Sequence, residues 1–329
     1  MTTLQALGLS YHAGVLCILD QTLLPEKEEW VVVRNPEHMI QLIQRLAVRG
    51  APLIGIAAAL ALANFAKSSV DVCQIQNAAK ALRAARPTAV NLMWAIDRML
   101  ATPHLDGENL LQAALQMAHE DKMMCEAMAE HAFALIEDGD QILTVCNSGG
   151  LATVGVGTAL GALISAHQRG KRIHVYACET RPLLQGARLT AWELAKAGVP
   201  FTLLCDSAAA TAMQQKKISS CFVGADRIAA NGDFANKIGT YALALAARFH
   251  KIPFYAVAPE STCDPECPSG ASIPIEERAD HEVLGVKGSF GEVQWAPPGA
   301  SVFNPAFDVT PFSLVSGVIL NTGIRYSST

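Results

Sequence analysis

The sequence predicts an α/β protein, mainly helical in its N-terminal part and built on a parallel sheet in its C-terminal part. Three observations carry the prediction. The chain has 329 residues, 51% hydrophobic and only 17% charged, with few aromatics, which suits close-packed layers around a buried sheet. Helical periodicity dominates from about residue 36 to residue 137. From residue 141 onward, short β-rich runs alternate with amphipathic segments, the pattern of parallel strands joined by crossover helices. The second part is therefore expected to be Rossmann-like. The length allows about two domains, expected at 1–128 and 129–329, with the boundary inside a long helix or at the "EDGD" turn.

Taken in order, the first 30 or so residues read as short strands and turns ending in "LDQTLLPEKEEWVVV", where Pro25 is a break. Helices are expected at 36–48, 52–66, 72–84, 89–100 and about 108–137. The second of these, "APLIGIAAALALANFA", is shorter than the roughly 20 residues that span a bilayer, so it reads as a buried helix. Strands are expected in "QILTVC", "RIHVYACE", "PFTLLCD", "SSCFVGADRI" and "PFYAVAPEST". The proline-rich tail after Glu260 reads as irregular structure folded back on the body.

Composition removes several function classes. A net charge of −5 and a pI near 6.0 leave no basic track for nucleic acid. Nine cysteines, an odd number without regular spacing, are those of a reduced, cytoplasmic protein. "HAGVLCIL" has no Lys or Arg before it and is followed by "PEKEEW", so neither a secretory leader nor a membrane partner is expected. Cys263 and Cys267 form the one close cysteine pair, without a His or a second pair to complete a zinc site, and "AHEDK" lacks the second His of a zincin. No metal is expected.

In parallel sheets, ligands sit beyond the carboxyl ends of the strands, which directs attention to Cys146, Glu179, Asp206 and Asp226. In "TVCNSGGLATVGVGTALG" (144–161), Gly155, Gly157 and Gly161 imitate a dinucleotide fingerprint, with Glu179 following the next strand. That fingerprint needs its first two glycines at the strand-to-helix turn, where backbone amides meet a pyrophosphate. Here the turn is Asn147-Ser148-Gly149-Gly150, so the later glycines are expected inside a helix as packing positions, and no NAD(P) is expected. The amides of residues 149–151 are expected to open that helix and to lower the pKa of the adjacent Cys146 thiol. The alternative for Cys146 is a small buried apolar group.

"VRGAPLIG" (48–55) sets Arg49 and Gly50 before Pro52 at a helix start, the outline of a phosphate site. "RPTAVNL" (86–92) repeats the arrangement with Arg86; a surface ion pair is the alternative for either arginine. "ETRPLLQGARLTAWEL" (179–194) places Glu179 and Gln185 around the loop after the second strand of the sheet. "VGADRIAANGDFANKIGTY" (223–241) sets Asp226 after the fourth, then Asn236 and Lys237 at an expected helix start. A strand-end carboxylate after "FVGA" is expected to be desolvated and able to donate a proton; pairing with Arg227 or capping a turn are the alternatives.

As an ordered set, with "LDQTLLP", "CNSGGLAT", "PIEER" and "FNPAFDVTP", these segments closely resemble the methylthioribose-1-phosphate isomerase family over nearly the whole chain. The resemblance implies an aldose–ketose isomerase of methionine salvage, a homodimer with no metal or organic cofactor. It puts the catalytic cysteine on Cys146 and the acidic partner on Asp226. Substrate contacts fall on Arg49, Gly50, Ala51, Arg86, Gln185, Asn236 and Lys237. The chain departs from the family's "CNTGALAT" at Ser148 and Gly150, both small residues. Alternatives are an isomerase of 5-deoxyribose 1-phosphate or ribose 1,5-bisphosphate, and a non-enzymatic regulatory subunit of the same fold.

Overall fold

The computed structural model describes residues 3–68, 71–86, 90–288, 291–297 and 299–327. The chain divides into two compact units, Met1–Met124 with Gly150–Gly157, and Cys125–Gly149 with Thr158–Thr329.

The first unit opens with an antiparallel sheet of four strands in sequential order, β1 (Thr3–Gln5), β2 (Leu9–His12), β3 (Val15–Leu19) and β4 (Trp30–Val32). Helix α1 (Pro36–Gln44) starts where Asn35 accepts the His38 N–H at 2.8 Å and Pro36 takes the first turn. It stops short of the expected residue 48 because Leu46 turns left-handed, φ +62°. Helix α2 (Ala51–Ser68) has twelve buried residues and is apolar all round, as a helix at the centre of a core must be. It is long and apolar enough to cross a membrane by length and composition, but 67% of it is buried inside the protein. Then come α3 (Val72–Ala84), capped by Asp71, and α4 (Val90–Leu100). Residues 87–89 of "RPTAVNL" lie outside the described residues. α4 packs so closely on α2 that a Cβ on Gly55 would lie 2.9 Å from the Asn91 carbonyl. The long helix α5 (Gly107–Phe133) follows, ending four residues before the expected 137; its residues from Cys125 on belong to the second unit.

The second unit carries β5 (Gln141–Thr144), α6 (Ala159–Gln168), β6 (His174–Cys178), a π-helical turn (Gly186–Thr190) leading into α7 (Ala191–Ala197), β7 (Phe201–Leu204), α8 (Ala209–Gln214) and β8 (Ser220–Val223). After them come β9 (Arg227–Ala229), β10 (Phe234–Lys237), α9 (Thr240–His250), β11 (Phe254–Val257) and β12 (Cys263–Asp264). The tail is regular where irregular structure is expected: α10 (His281–Leu284), the hairpin β13 (Gly285–Gly288) and β14 (Gly291–Gln294), then β15 (Phe307–Thr310), β16 (Gly317–Leu320) and β17 (Gly323–Tyr326). Each of these strands has only four residues, too few to show periodicity; β15 and β16 pair with the distant β10 and β11, whereas β13 with β14 and β16 with β17 form local hairpins.

The main sheet has the order β17-β16-β11-β8-β5-β6-β7, parallel throughout except for β17 at one edge. From β5 the chain proceeds outward through β6 and β7, then returns to add β8, β11 and β16 on the other side. The order therefore reverses between β5 and β8, and the crevice at such a reversal is the usual ligand site of a doubly wound sheet. A second sheet, β12-β9-β10-β15, stands beside it in the same unit.

Candidate active site

Cys146 and Asp226 follow β5 and β8, the two strands that flank the reversal. Cys146 leaves its strand at φ +63°, a left-handed backbone that costs a non-glycine residue roughly 1–2 kcal/mol. Two threonines hold it there. Its N–H donates to Thr180 Oγ1 at 2.9 Å, and its carbonyl accepts from Thr190 Oγ1 at 2.5 Å. The next residue, Asn147, is buried and donates through Nδ2 to Glu193 Oε1 at 2.7 Å. Glu193 is buried too, and a Cβ on Gly149 would lie 2.2 Å from its Oε2.

The helix expected from residue 149 is not there: residues 150–157 form an irregular loop and α6 begins at Ala159. The backbone groups that a helix would pair internally are bonded elsewhere. Asp121 accepts the Val154 N–H at 2.7 Å and the Gly155 N–H at 3.4 Å. Gln21 Nε2 donates to the Leu151 carbonyl at 2.8 Å, and the Leu53 N–H to the Ala152 carbonyl at 3.2 Å. Gly157 bends the chain at φ +109°. Gly155 and Gly157 are thus loop residues, and Gly161 alone of the three lies in a helix. The electropositive helix start expected beside Cys146 is likewise displaced to Ala159, where Ser148 Oγ already accepts the Leu160 N–H at 3.1 Å.

Asp226 is half-buried, and its N–H donates to the Ala235 carbonyl at 2.9 Å. Arg227 is paired with Asp264, Nε to Oδ2 at 2.8 Å. Asn236 and Lys237, expected at a helix start, belong instead to strand β10, because "FANK" pairs with both β9 and β15. Asn236 Nδ2 donates to Thr240 Oγ1 at 2.9 Å. Lys237 is buried, donates to the Ala306 carbonyl at 2.8 Å and stands 4.5 Å from the Phe307 ring centroid. Asp308, opposite Asn236 in the ladder, caps the start of α9 by accepting the Gly239 and Tyr241 N–H groups; burial pushes its carboxyl up to about 6.

One contact ties the Cys146 turn to the Asp226 segment. A Cβ on Gly224, two residues before Asp226, would lie 3.3 Å from Ser148 Cβ and 3.8 Å from Asn236 Oδ1. Gln185 enters from the loop after β6. It is buried at the head of the π-helical turn, and its Oε1 has no hydrogen-bond partner among the described residues; an acceptor in that state is suited to a ligand hydroxyl. Asp206 holds the same loop by accepting the Thr180 and Arg181 N–H groups at 2.8 and 2.7 Å.

The remaining candidates lie in the first unit. Arg49 is half-buried, two residues ahead of α2. Gly50 has φ +93°, and a Cβ there would lie 2.3 Å from Ala152 Cα, so only glycine fits. Ala51 is the first residue of α2. Arg86 is half-buried and precedes α4. The Gly55–Asn91 approach brings the N-terminal parts of α2 and α4 together, so both arginines precede neighbouring helices.

Sequence reasoning passed over Thr180, Thr190 and Glu193, and read Asn147 only as part of the turn. Spacing carries no signal for the two threonines, since what selects them is the backbone of Cys146. Among the described residues, no group of three or more His, Cys, Asp or Glu side chains is placed to hold a metal ion. Cys267 donates its S–H to the Ser269 carbonyl at 3.4 Å.

The sequence model of the initiation factor 2 subunit family matches residues 47–327. A methylthioribose-1-phosphate isomerase of Klebsiella pneumoniae (strain 342) is 54% identical over 98% of this chain and 95% of its own. The crystal structure of 5-methylthioribose 1-phosphate isomerase from Pyrococcus horikoshii superposes with a TM-score of 0.89 at 40% identity, over 97% of this chain and 92% of that one. A structure described as the delta subunit of translation initiation factor eIF-2B from A. fulgidus gives 0.86 at 41% identity, over 98% of this chain and 97% of that one.

Proposed function

The chain belongs to the initiation factor 2 subunit family, and from its likeness to relatives named as that enzyme we propose that it is the isomerase that converts 5-methylthioribose 1-phosphate to 5-methylthioribulose 1-phosphate in methionine salvage. The observation that carries this reading is the pair Cys146 and Asp226 beyond the two strands at the reversal of the sheet, in a chain 54% identical to a relative of that name. A regulatory subunit would have no use for a strained, clamped cysteine or for the unpartnered Gln185 acceptor.

Phosphate on C1 prevents the ring from opening as a free hemiacetal does, so the ring oxygen needs a proton as its bond to C1 breaks. Asp226 donates it. The hydrogen on C2 then moves to C1 while the C2 hydroxyl becomes the carbonyl and its proton returns to the Asp226 carboxylate, so protons and electrons balance over the cycle and no external oxidant is required. In one route Cys146 removes the C2 proton and returns it to C1 through an enediol-like intermediate. In the other, a hydride passes directly from C2 to C1 and Cys146 stabilises the transition state. Solvent deuterium at product C1 selects the first route; full retention of a C2 label selects the second. Arg49, Arg86 and the amides of Gly50 and Ala51 hold the phosphate; Gln185, Asn236 and Lys237 hold the sugar.

The test is a direct assay of methylthioribose 1-phosphate isomerisation, with Cys146→Ala as control and 5-deoxyribose 1-phosphate and ribose 1,5-bisphosphate as competing substrates. Tight sugar-phosphate binding without turnover would favour the regulatory subunit instead. A homodimer in the cytoplasm is part of the same proposal, and a single-chain mass by sedimentation equilibrium would remove the dimer.

A further inference from the structure

We infer that Thr180 and Thr190 are positioning residues for the Cys146 thiol: their hydroxyls fix the left-handed backbone from which that thiol projects. The inference rests on the reaction assigned to Cys146 above, and its observations are independent of that reaction. Cys146 occupies a region of backbone space that favours glycine, at φ +63°. A glycine would adopt it freely but would carry no thiol. The conformation must therefore be imposed by neighbours, and both backbone polar groups of this one residue are bonded to buried side-chain hydroxyls.

The hydrogen-bond accounting fixes each hydroxyl. Thr180 Oγ1 gives its proton to the Cys178 carbonyl at 3.1 Å and accepts the Cys146 N–H with a lone pair. Thr190 Oγ1 gives its proton to the Cys146 carbonyl and accepts from Asn147 Nδ2 at 3.3 Å. Neither hydroxyl can rotate without leaving a buried group unpaired. Both threonines are held in turn. Thr180 is itself left-handed at φ +66°, with its N–H on Asp206. Thr190 closes the π-helical turn, in which the Ala191 N–H reaches back five residues to the Gly186 carbonyl, and such a turn re-aims side chains relative to a regular α-helix. The turn can sit against the sheet only because residue 186 is glycine, where a Cβ would fall 1.7 Å from the Cys178 carbonyl. The segment that supplies Gln185 is thus also the segment that aims Cys146.

The experiment removes each hydroxyl at constant shape and reads two independent properties. Thr180→Val and Thr190→Val, checked for folding by circular dichroism, should each lower kcat on methylthioribose 1-phosphate by about tenfold or more, a barrier change of ~1.4 kcal/mol, with KM altered by less than about twofold because the phosphate is held elsewhere. The rate of Cys146 alkylation by iodoacetamide, followed on its own peptide by mass spectrometry, should shift by about threefold or more. Thr190→Ser and Thr180→Ser, which keep the hydroxyl, should restore both readouts, and where a valine variant does not fold, the Ser and Ala pair at that position makes the same comparison. Equal kcat and equal alkylation rates with and without the hydroxyl in folded protein would overturn the inference. If the wild-type protein does not turn over this sugar, the assigned reaction fails, while the alkylation rates still decide whether the clamp aims the thiol.

Discussion

Gly50→Ala separates backbone strain from a steric requirement at the start of α2. Two terms act at this position. The methyl group must accept φ +93°, for which left-handed strain supplies about 1–2 kcal/mol. It must also occupy space 2.3 Å from Ala152 Cα and 2.5 Å from its carbonyl oxygen, where the obstacle is backbone and cannot rotate away; overpacking of this kind adds roughly 1–3 kcal/mol. Gly139 is the internal control, with φ +92° and nothing within 4 Å of a Cβ. For a chain of this size about 2 °C of Tm is lost per kcal/mol, so calorimetry should show Gly50→Ala melting roughly 4–10 °C lower and Gly139→Ala roughly 2–4 °C lower. Relief of the clash also shifts the 150–157 loop away from the start of α2 and breaks the bond from the Leu53 N–H to the Ala152 carbonyl. In the proposed function the Gly50 and Ala51 amides hold the phosphate, so KM should rise by about tenfold or more in Gly50→Ala, with no change in Gly139→Ala. Equal melting losses in the two variants would refute the argument that close approach selects glycine at position 50.

Three further outcomes follow from the geometry. Asp226→Asn should lower kcat by about 10²–10⁴-fold with unchanged circular dichroism, and near-normal turnover would eliminate the acid role. Gly149→Ala drives a methyl group onto the buried Glu193 carboxylate and should remove about 1–3 kcal/mol of stability in urea denaturation; an unchanged midpoint would contradict the tight approach. Burial pushes the Asp121 carboxyl from 3.8 up to about 6, so its contribution to stability is complete below pH 4 and lost as the pH rises through 6. That shift corresponds to at most about 3 kcal/mol, so Asp121→Asn should gain on the wild type by up to that amount between pH 4 and pH 7, whereas a pH-independent difference would show the carboxyl unperturbed.

Much of the fold is legible in the chain because local periodicity and burial agree. The apolar run of α2 could only be a core helix or a membrane span, and the alternation after residue 141 admits little except parallel strands with crossovers. Two of the failures share one cause. The 150–157 segment has the small residues of a packed helix, but Asp121, Gln21 and Leu53, all remote in sequence, take its backbone groups first. "FANK" reads as the lead-in to a helix, but β9 and β15 claim it as a strand. In both cases a long-range hydrogen-bond partner overrides a weak local preference.

The sequence by itself determined the chemistry on offer: a cysteine and an aspartate after strands, arginines before helices, and motifs ordered as in one enzyme family. Side-chain identity and the positions of strand ends are local properties that one dimension can hold. Tertiary structure alone decided that the strand order reverses between β5 and β8, that Cys146 is held left-handed by two threonines 34 and 44 residues away, and that Gly50 leaves no room for a side chain. Those features arise from pairing between distant segments, where strain at one residue is balanced by hydrogen bonds from another, and no window of sequence contains both sides of that balance.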